Sequence, residues 1–280
     1  MKPAPFAYAK ARSVAHAIEL LATEDARLLA GGQSLIATLN MRLSEPALLV
    51  DINGIGELDR VTLQNAHIEI GALVRYAQAE RSAEIARAAP LIALALPHIG
   101  HPAIRNRGTV GGSLAFADPA AELPACMIAL DGEIDVVGPK GQRTVKANDF
   151  FADLFETALG AQDVLTAIRV PAAAADIRVG FAEFARRHGD YAMVGLAACA
   201  RVDRKRLDDV RLAYFGVGAT AVRARKAEAV LADGDVEVAV SALAGDLDPP
   251  DDIHASGAVK MHLAGVLLQR VAQQLGRAPS

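Results

Sequence analysis

Cysteine is almost absent from this chain: of 280 residues, only Cys126 and Cys199 are cysteine. Two thiols cannot hold an iron–sulfur cluster, which needs about four ligands. Both stand among apolar, alanine-rich neighbours and read as buried structural thiols. A basic excess is also missing. Lys+Arg number 29 against 33 Asp+Glu, for a formal charge of −4, and the pI is about 6.0. That balance argues against a nucleic-acid footprint, which needs a basic face. No apolar run is long enough to span a bilayer. The first residues, Met1-Lys2-Pro3-Ala4-Pro5-Phe6, show no apolar signal core, so the expected location is the cytoplasm. There is no internal repeat. With 52% hydrophobic residues, the length fits one large or two smaller globular domains with a real core.

What is present is glycine in two special places. Gly108-Thr109-Val110-Gly111-Gly112-Ser113 packs three glycines and two hydroxyl residues into six positions. It reads as a loop where backbone comes close to something, because glycine has no Cβ and tolerates positive φ. Ala30-Gly31-Gly32-Gln33-Ser34 is a second stretch of the same kind. Successive N–H groups in such loops form anion-binding concavities, so the pair suggests one ligand with two phosphates held from two sides. The tight turn remains the plain alternative for each loop alone.

Around these loops the pattern gives the following order. Ser13 to Ala22 has helical spacing, and Arg27 to Ala30 is a short strand. Ser34 is placed to cap a helix through Leu35, Ile36, Leu39 and Met41, and Ala47 to Ile52 is a buried strand. Residues 27 to 52 thus form a small parallel crossover unit, with the first loop at a helix N-terminus that favours anions. His67 to Ala72 alternates as a half-exposed strand. Val74 to Ala89 reads as one helix, followed by a second from Pro90 to about Leu96. Leu123 to Leu130 is a buried helix. Strands are expected at Ile134 to Val137, Gln142 to Val145 and Val164 to Val170, and a turn into a short helix at Asn148 to Phe151. Pro171-Ala172-Ala173-Ala174-Ala175 is the expected domain boundary. Three strands (Gly180 to Arg186, Ala192 to Val202, Val210 to Phe215) and three helices (Ala227 to Leu231, Glu237 to Leu243, Val259 to Leu275) follow, with an acidic loop over residues 246 to 254.

Gly216-Val217-Gly218-Ala219-Thr220-Ala221 matches the dinucleotide pattern G-x-G-x-x-A. That fingerprint needs a second parallel strand ending in an acidic residue about 20 positions on. Asp233-Gly234-Asp235 and the helical run after it do not supply one, so the motif is read as a glycine turn before a surface helix. Asp118 either accepts hydrogen bonds from ligand hydroxyls or caps a helix starting at Pro119. Arg105 and Arg107 read as solvated charges rather than phosphate ligands.

Taken together, Ala30-Gly31-Gly32-Gln33-Ser34-Leu35, Ile104-Arg105-Asn106-Arg107-Gly108-Thr109-Val110-Gly111-Gly112-Ser113 and Asp118-Pro119-Ala120-Ala121-Glu122-Leu123-Pro124 resemble the FAD-binding subunit of the molybdenum hydroxylases. The resemblance continues through Arg187-His188-Gly189-Asp190-Tyr191-Ala192, Phe215-Gly216-Val217-Gly218 and Asp252-Ile253-His254-Ala255-Ser256. It implies an α+β fold: a two-lobed FAD-binding domain of the vanillyl-alcohol oxidase type over residues 1–175 (lobes about 1–55 and 56–175), then a small antiparallel sheet with helices over 176–280. By likeness, Ala30 to Ser34 and Thr109 to Ser113 wrap the FAD diphosphate. Leu29 and Leu35 border the first loop, and Ile104 leads into the second, where Val110, Gly111 and Gly112 also count as cofactor-binding. Glu122 is expected at FAD hydroxyls and Tyr191 against the isoalloxazine ring, with Asp118 counted as cofactor-binding on its ligand-contact reading, the helix cap remaining its alternative. Gln33 replaces a family His, which shifts weight from side chain to backbone there.

No catalytic acid or base and no metal ligand is expected on this chain, and no motif here suits molybdenum. The implied role is electron exit. A large molybdopterin subunit oxidises the substrate, a small subunit with 2Fe-2S clusters relays electrons, and FAD on this chain reduces an external acceptor. Two other readings stand beside it: a stand-alone FAD oxidoreductase of the same fold, and a non-catalytic nucleotide-binding scaffold.

Overall fold

The computed structural model describes residues 2–204 and 206–276. Its first sheet is small and wholly parallel, in the order β1 (Ala7–Lys10), β3 (Leu48–Asp51), β2 (Ala26–Leu29). Strand β3 is central and its Leu48, Leu49 and Val50 are buried, as a strand covered on both faces requires. Helix Val14–Leu21 connects β1 to β2 and starts at Ser13, whose hydroxyl accepts from the His16 N–H at 3.1 Å. Helix Leu35–Asn40 connects β2 to β3, so the crossover unit forms as the pattern predicts. Strand β1 was not expected. It is a mostly exposed edge strand without the apolar alternation that marks a strand in sequence.

The second sheet is antiparallel: β4 (Val61–Gln64), β5 (His67–Gly71), β10 (Val164–Pro171), β6 (Glu133–Gly138), β7 (Gly141–Lys146) in spatial order. Ile68, Ile70, Ile134, Val136, Ile168 and Val170 pack with Leu91 and Ile92 of helix Pro90–Ala95 and with Cys126 and Met127 of helix Glu122–Ala129 in one core. A short hairpin, β8 (Phe151–Asp153) with β9 (Glu156–Thr157), stands beside it. The single helix expected over Val74 to Ala89 is two, Tyr76–Glu80 and Ala83–Ala88. Ser82 causes the break: its hydroxyl accepts from Ile85 N–H at 3.3 Å and starts a new helix, as a serine cap does.

The third sheet, β11 (Ile177–Ala185), β12 (Ala192–Asp203), β13 (Arg206–Phe215) and β14 (Val222–Arg223), is antiparallel throughout. Along β12, Ala197 and Cys199 face the core of the second sheet, whereas Leu196, Ala198 and Ala200 face helix Gly257–Leu275. This strand is sandwiched, which explains its unbroken apolar sequence. Both cysteines are free and buried.

Candidate cofactor site

The first glycine corner leaves β2 and enters helix Leu35–Asn40. Gly32 has φ +72°, a left-handed turn that favours glycine. Ser34 does not cap the helix as expected: its backbone is already helical and its side chain makes no cap bond. Instead the Gln33 side-chain amide donates to Gly31 O at 3.1 Å. Among the described residues, the N–H groups of Gly31, Gly32, Gln33, Ser34 and Leu35 donate to no acceptor in the protein. Five successive unpaired amides at a helix entrance suit an anion.

The second glycine stretch is not the loop its composition suggests. Val110–Phe116 is a helix, and Thr109, 2% exposed, is its cap, accepting from Gly112 N–H at 3.1 Å. Backbone carbonyls of the segment just after β5, together with the Thr109 cap, override the low helix propensity of Gly111 and Gly112. Val110 N–H donates to Val74 O at 3.0 Å, Gly111 N–H to Ala72 O at 2.9 Å and Ser113 N–H to Thr109 O at 3.1 Å. This corner therefore spends the amides of Gly108 and of Val110 to Ser113 within the protein.

The two corners touch. A Cβ on Gly31 would collide with the Arg107 carbonyl and lie 2.9 Å from Gly108 Cα. A Cβ on Gly108 would lie 2.5 Å from the Tyr76 ring, and one on Gly111 2.5 Å from Ala72 Cβ. The close approach that the glycines permit is thus backbone against backbone, between loops about 75 positions apart in sequence.

At the other end, Glu122 opens helix Glu122–Ala129 and is 8% exposed. Burial, opposed by its own N–H and reinforced by Glu183 and Asp118, pushes its carboxyl up to about 8. Asp118 does not cap a helix at Pro119. It closes a turn, accepting from Ala120 N–H at 2.9 Å, and the helix begins at Glu122. Burial raises Asp118 as well. Tyr191 is 65% exposed; partial burial, then Asp118 and Glu122, raise its phenol. The three residues therefore share one electrostatic neighbourhood. Ser113 adjoins it through the buried Tyr76 hydroxyl, which is raised by burial while Ser113 pulls the other way. A crevice of about 340 Å³ opens here, lined by Asp118, Pro119, Tyr191, Gly216, Gly218 and Lys260 among others.

Arg105 departs from its sequence expectation, and Glu183 and Lys260 are not among the sequence candidates. Arg105 is not a solvated charge: it bonds Glu80 Oε2 at 3.0 Å and Gly100 O at 2.7 Å. Glu183 Oε1 lies 3.2 Å from His98 Nδ1, and its other oxygen is buried without a hydrogen-bond partner. Lys260, 3% exposed, reaches Asp252 at 2.7 Å and Gly216 O at 3.2 Å. The alternation of β11 marks Glu183 as inward-facing; nothing local marks Lys260. Ile104 lies at the edge of the second corner, its carbonyl accepting from Gly108 N–H at 2.7 Å. Leu29 packs beneath Gly32.

Known proteins share this architecture. The family described as the FAD-binding domain in molybdopterin dehydrogenase matches residues 4–173, and the CO dehydrogenase flavoprotein C-terminal domain matches residues 180–275. The 6-hydroxypseudooxynicotine dehydrogenase complex subunit alpha of Paenarthrobacter nicotinovorans is 38% identical, covering 99% of this chain and 97% of the relative. A solved carbon monoxide dehydrogenase from Hydrogenophaga pseudoflava superposes with TM-score 0.95 at 34% identity, covering 98% of both chains. Quinoline 2-oxidoreductase from Pseudomonas putida 86 gives 0.94 at 34% identity over 99% of this chain and 98% of that one. Sequence and fold agree along nearly the whole length, and this chain belongs to the FAD-binding medium subunits of the molybdenum hydroxylases.

Proposed function

We propose that this chain is the electron-exit subunit of a heteromeric hydroxylase in the cytoplasm, and that it grips its FAD at the two touching glycine corners. The observation that carries this is the contact of Gly31 with Arg107 and Gly108, which puts five unpaired amides beside the second corner. The donor set fits a dinucleotide. Amides of Gly31 to Leu35 hold the diphosphate, with Leu29, Ala30, Ile104, Thr109, Val110, Gly111, Gly112 and Ser113 shaping the corner. Glu122, held neutral by burial, both donates to and accepts from hydroxyls. Asp118 lies beside it, and Tyr191 supplies an aromatic face at the crevice. The lobes are residues about 1–55 and 56–175, with 176–280 as the C-terminal domain.

FAD, when bound, supplies the redox chemistry, and the protein supplies binding and electrostatics. Among the described residues no group of three His, Cys, Asp or Glu side chains is placed to hold a metal. The similar proteins are single subunits of larger enzymes, and by that likeness substrate oxidation is assigned to a large molybdopterin subunit and electron delivery to a small subunit with 2Fe-2S clusters. The external acceptor receives electrons at the crevice beside Tyr191. No helix among the described residues is long and apolar enough to cross a membrane.

The test is purification of the chain with and without its two partners, followed by flavin extraction. One FAD per chain, and bleaching of its absorbance by substrate only in the complex, is the expected result. A chain that carries no FAD and takes up none overturns the reading.

A further inference from the structure

The two glycine corners belong to different sheets. The first hangs on the parallel sheet of β1 to β3, the second on the antiparallel sheet. Apolar contacts through Leu73 and Val164 join the two, but the hydrophobic effect is non-directional and does not itself specify one orientation. One polar path crosses the boundary. Asn53, just after β3, donates its side-chain amide to Ala30 O at 2.9 Å and to Leu29 O at 3.4 Å. Its carbonyl oxygen accepts from the Arg75 guanidinium, whose other arm donates to the Arg107 carbonyl. Among the described residues, Arg75 to Asn53 is the one side-chain hydrogen bond between residues 2–55 and 56–175.

The near end of this path is braced. Asp51 accepts from Asn53 N–H at 2.8 Å and from its side-chain amide at 2.7 Å, and the Tyr8 hydroxyl donates to the other Asp51 oxygen at 2.5 Å. The far end is the same Arg107 carbonyl that abuts Gly31. Arg75 itself sits at an isolated bridge to Thr109, with Tyr76 N–H donating to Gly108 O at 3.1 Å. A planar guanidinium is suited to this task because its fork fixes two acceptors at once, which an ammonium on a flexible stem does not.

We propose that Asn53 and Arg75 are positioning residues that fix the spacing of the two glycine corners, and so tune the grip on a diphosphate without touching it. The inference rests on the flavin reading above. It says that the affinity for any ligand held through that diphosphate depends on a strut lying behind the corners.

The experiment uses the full-length chain, stripped of flavin and titrated with FAD, and with ADP as a competing diphosphate. Variants are Asn53→Ala, Arg75→Ala and Arg75→Lys, with Arg143→Ala as a control that breaks the remote pair to Asp163. Arg75→Ala and Arg75→Lys are each expected to weaken FAD and ADP by a similar factor, roughly tenfold or more, since a charge-assisted bond and its bridging geometry are lost. Asn53→Ala follows in the same direction, Arg75→Ala added to it brings little more, and the control leaves both affinities unchanged. A merely structural role would lower the melting temperature and leave both dissociation constants alone, and that result overturns the proposal. So does an Arg75→Lys variant that binds like the parent, because charge alone then suffices. Should Arg75→Ala fail to fold, Asn53→Ala and Arg75→Lys carry the same test. A parent chain that binds no FAD defeats the flavin reading itself. A parent that binds FAD beside variants that bind it equally well defeats only the strut.

Discussion

Two glycine turns in this chain follow a strand, and only one is built like an anion site. The first enters a helix, whereas the second, expected before a surface helix, instead turns the chain back into β14. Gly31-Gly32 leaves a parallel strand, and the amides after it, through Leu35, have no protein acceptor. Gly216-Val217-Gly218 leaves an antiparallel strand, and Gly216 is bonded on both sides: its N–H donates to Pro119 O at 2.8 Å and its carbonyl accepts from Lys260 at 3.2 Å. The second turn carries the better-known sequence pattern and the first does not. What separates them is the sheet each is attached to, because a parallel strand feeding a helix leaves helix amides at the sheet's carboxyl edge, while an antiparallel hairpin folds the chain back onto its neighbour.

The sharpest way to break this contrast is Gly31→Val. The new side chain meets the Arg107 carbonyl and Gly108 Cα, both backbone, so neither can rotate away. The corners must separate, at about 3 kcal/mol of stability, and FAD affinity is expected to fall about a hundredfold with it. Thermal melting and flavin titration of the same variant check both. A Gly31→Val chain that keeps its FAD would show that the corner contact is unrelated to the cofactor.

The two regions also differ in the sign of their pH response. Downstream of the first pair of corners, Glu122 is raised by burial from 4.5 to about 8. Its neutral form is the one the fold accommodates. That contribution is fully present below about pH 4.5 and is lost progressively as pH rises to about 8. Glu122→Gln removes the dependence, so the variant is expected to outlast the parent by ~3 kcal/mol near pH 9 in the flavin-free chain, and to match it near pH 5. Denaturant unfolding across that range is the measurement.

Beside the second turn the sign reverses. Lys260, with the Asp252 loop's own N–H groups, pulls the Asp252 carboxyl down to about 2. Its contribution is present above about pH 4 and is lost as pH falls through about 2. Asp252 is 38% exposed while Lys260 is nearly enclosed at 4%, so solvent screens the pair. Asp252→Asn keeps an acceptor for the His254 and Ala255 N–H groups but removes the charge, at an expected ~1 kcal/mol at pH 7. That difference should vanish near pH 2.

The contrast explains which parts were legible in the sequence. Elements with strong periodicity were read within a few residues: the crossover from β2 to β3, the buried helix at Glu122, the three long strands and the C-terminal helix. Tertiary context decided the rest. Strand β1 exists because β3 offers it an edge. Gly111 and Gly112 are helical because Ala72 and Val74 take the preceding amides. The two glycine stretches stand out in the sequence as clusters, yet the contact that glycine permits, one corner pressed on the other, needs coordinates. The pairing of Asn53 with Arg75 has no local signature, since the two meet from different sheets.

The smallest expected effect is the most direct test of the rejected motif. In a dinucleotide fingerprint the second glycine is needed because phosphate approaches the backbone there. A Cβ at Gly218 would meet nothing closer than 3.6 Å, whereas one at Gly216, with φ +74°, would lie 2.7 Å from Met193 O. The first glycine serves the turn, and the second has room to spare. Gly218→Ala is therefore expected to leave stability within about 0.5 kcal/mol, or to raise it slightly by restricting the unfolded chain, with FAD affinity unchanged. A tenfold loss of FAD on adding that single methyl would mean the cofactor reaches this turn's backbone, and the division of labour between the two glycine regions would have to be redrawn.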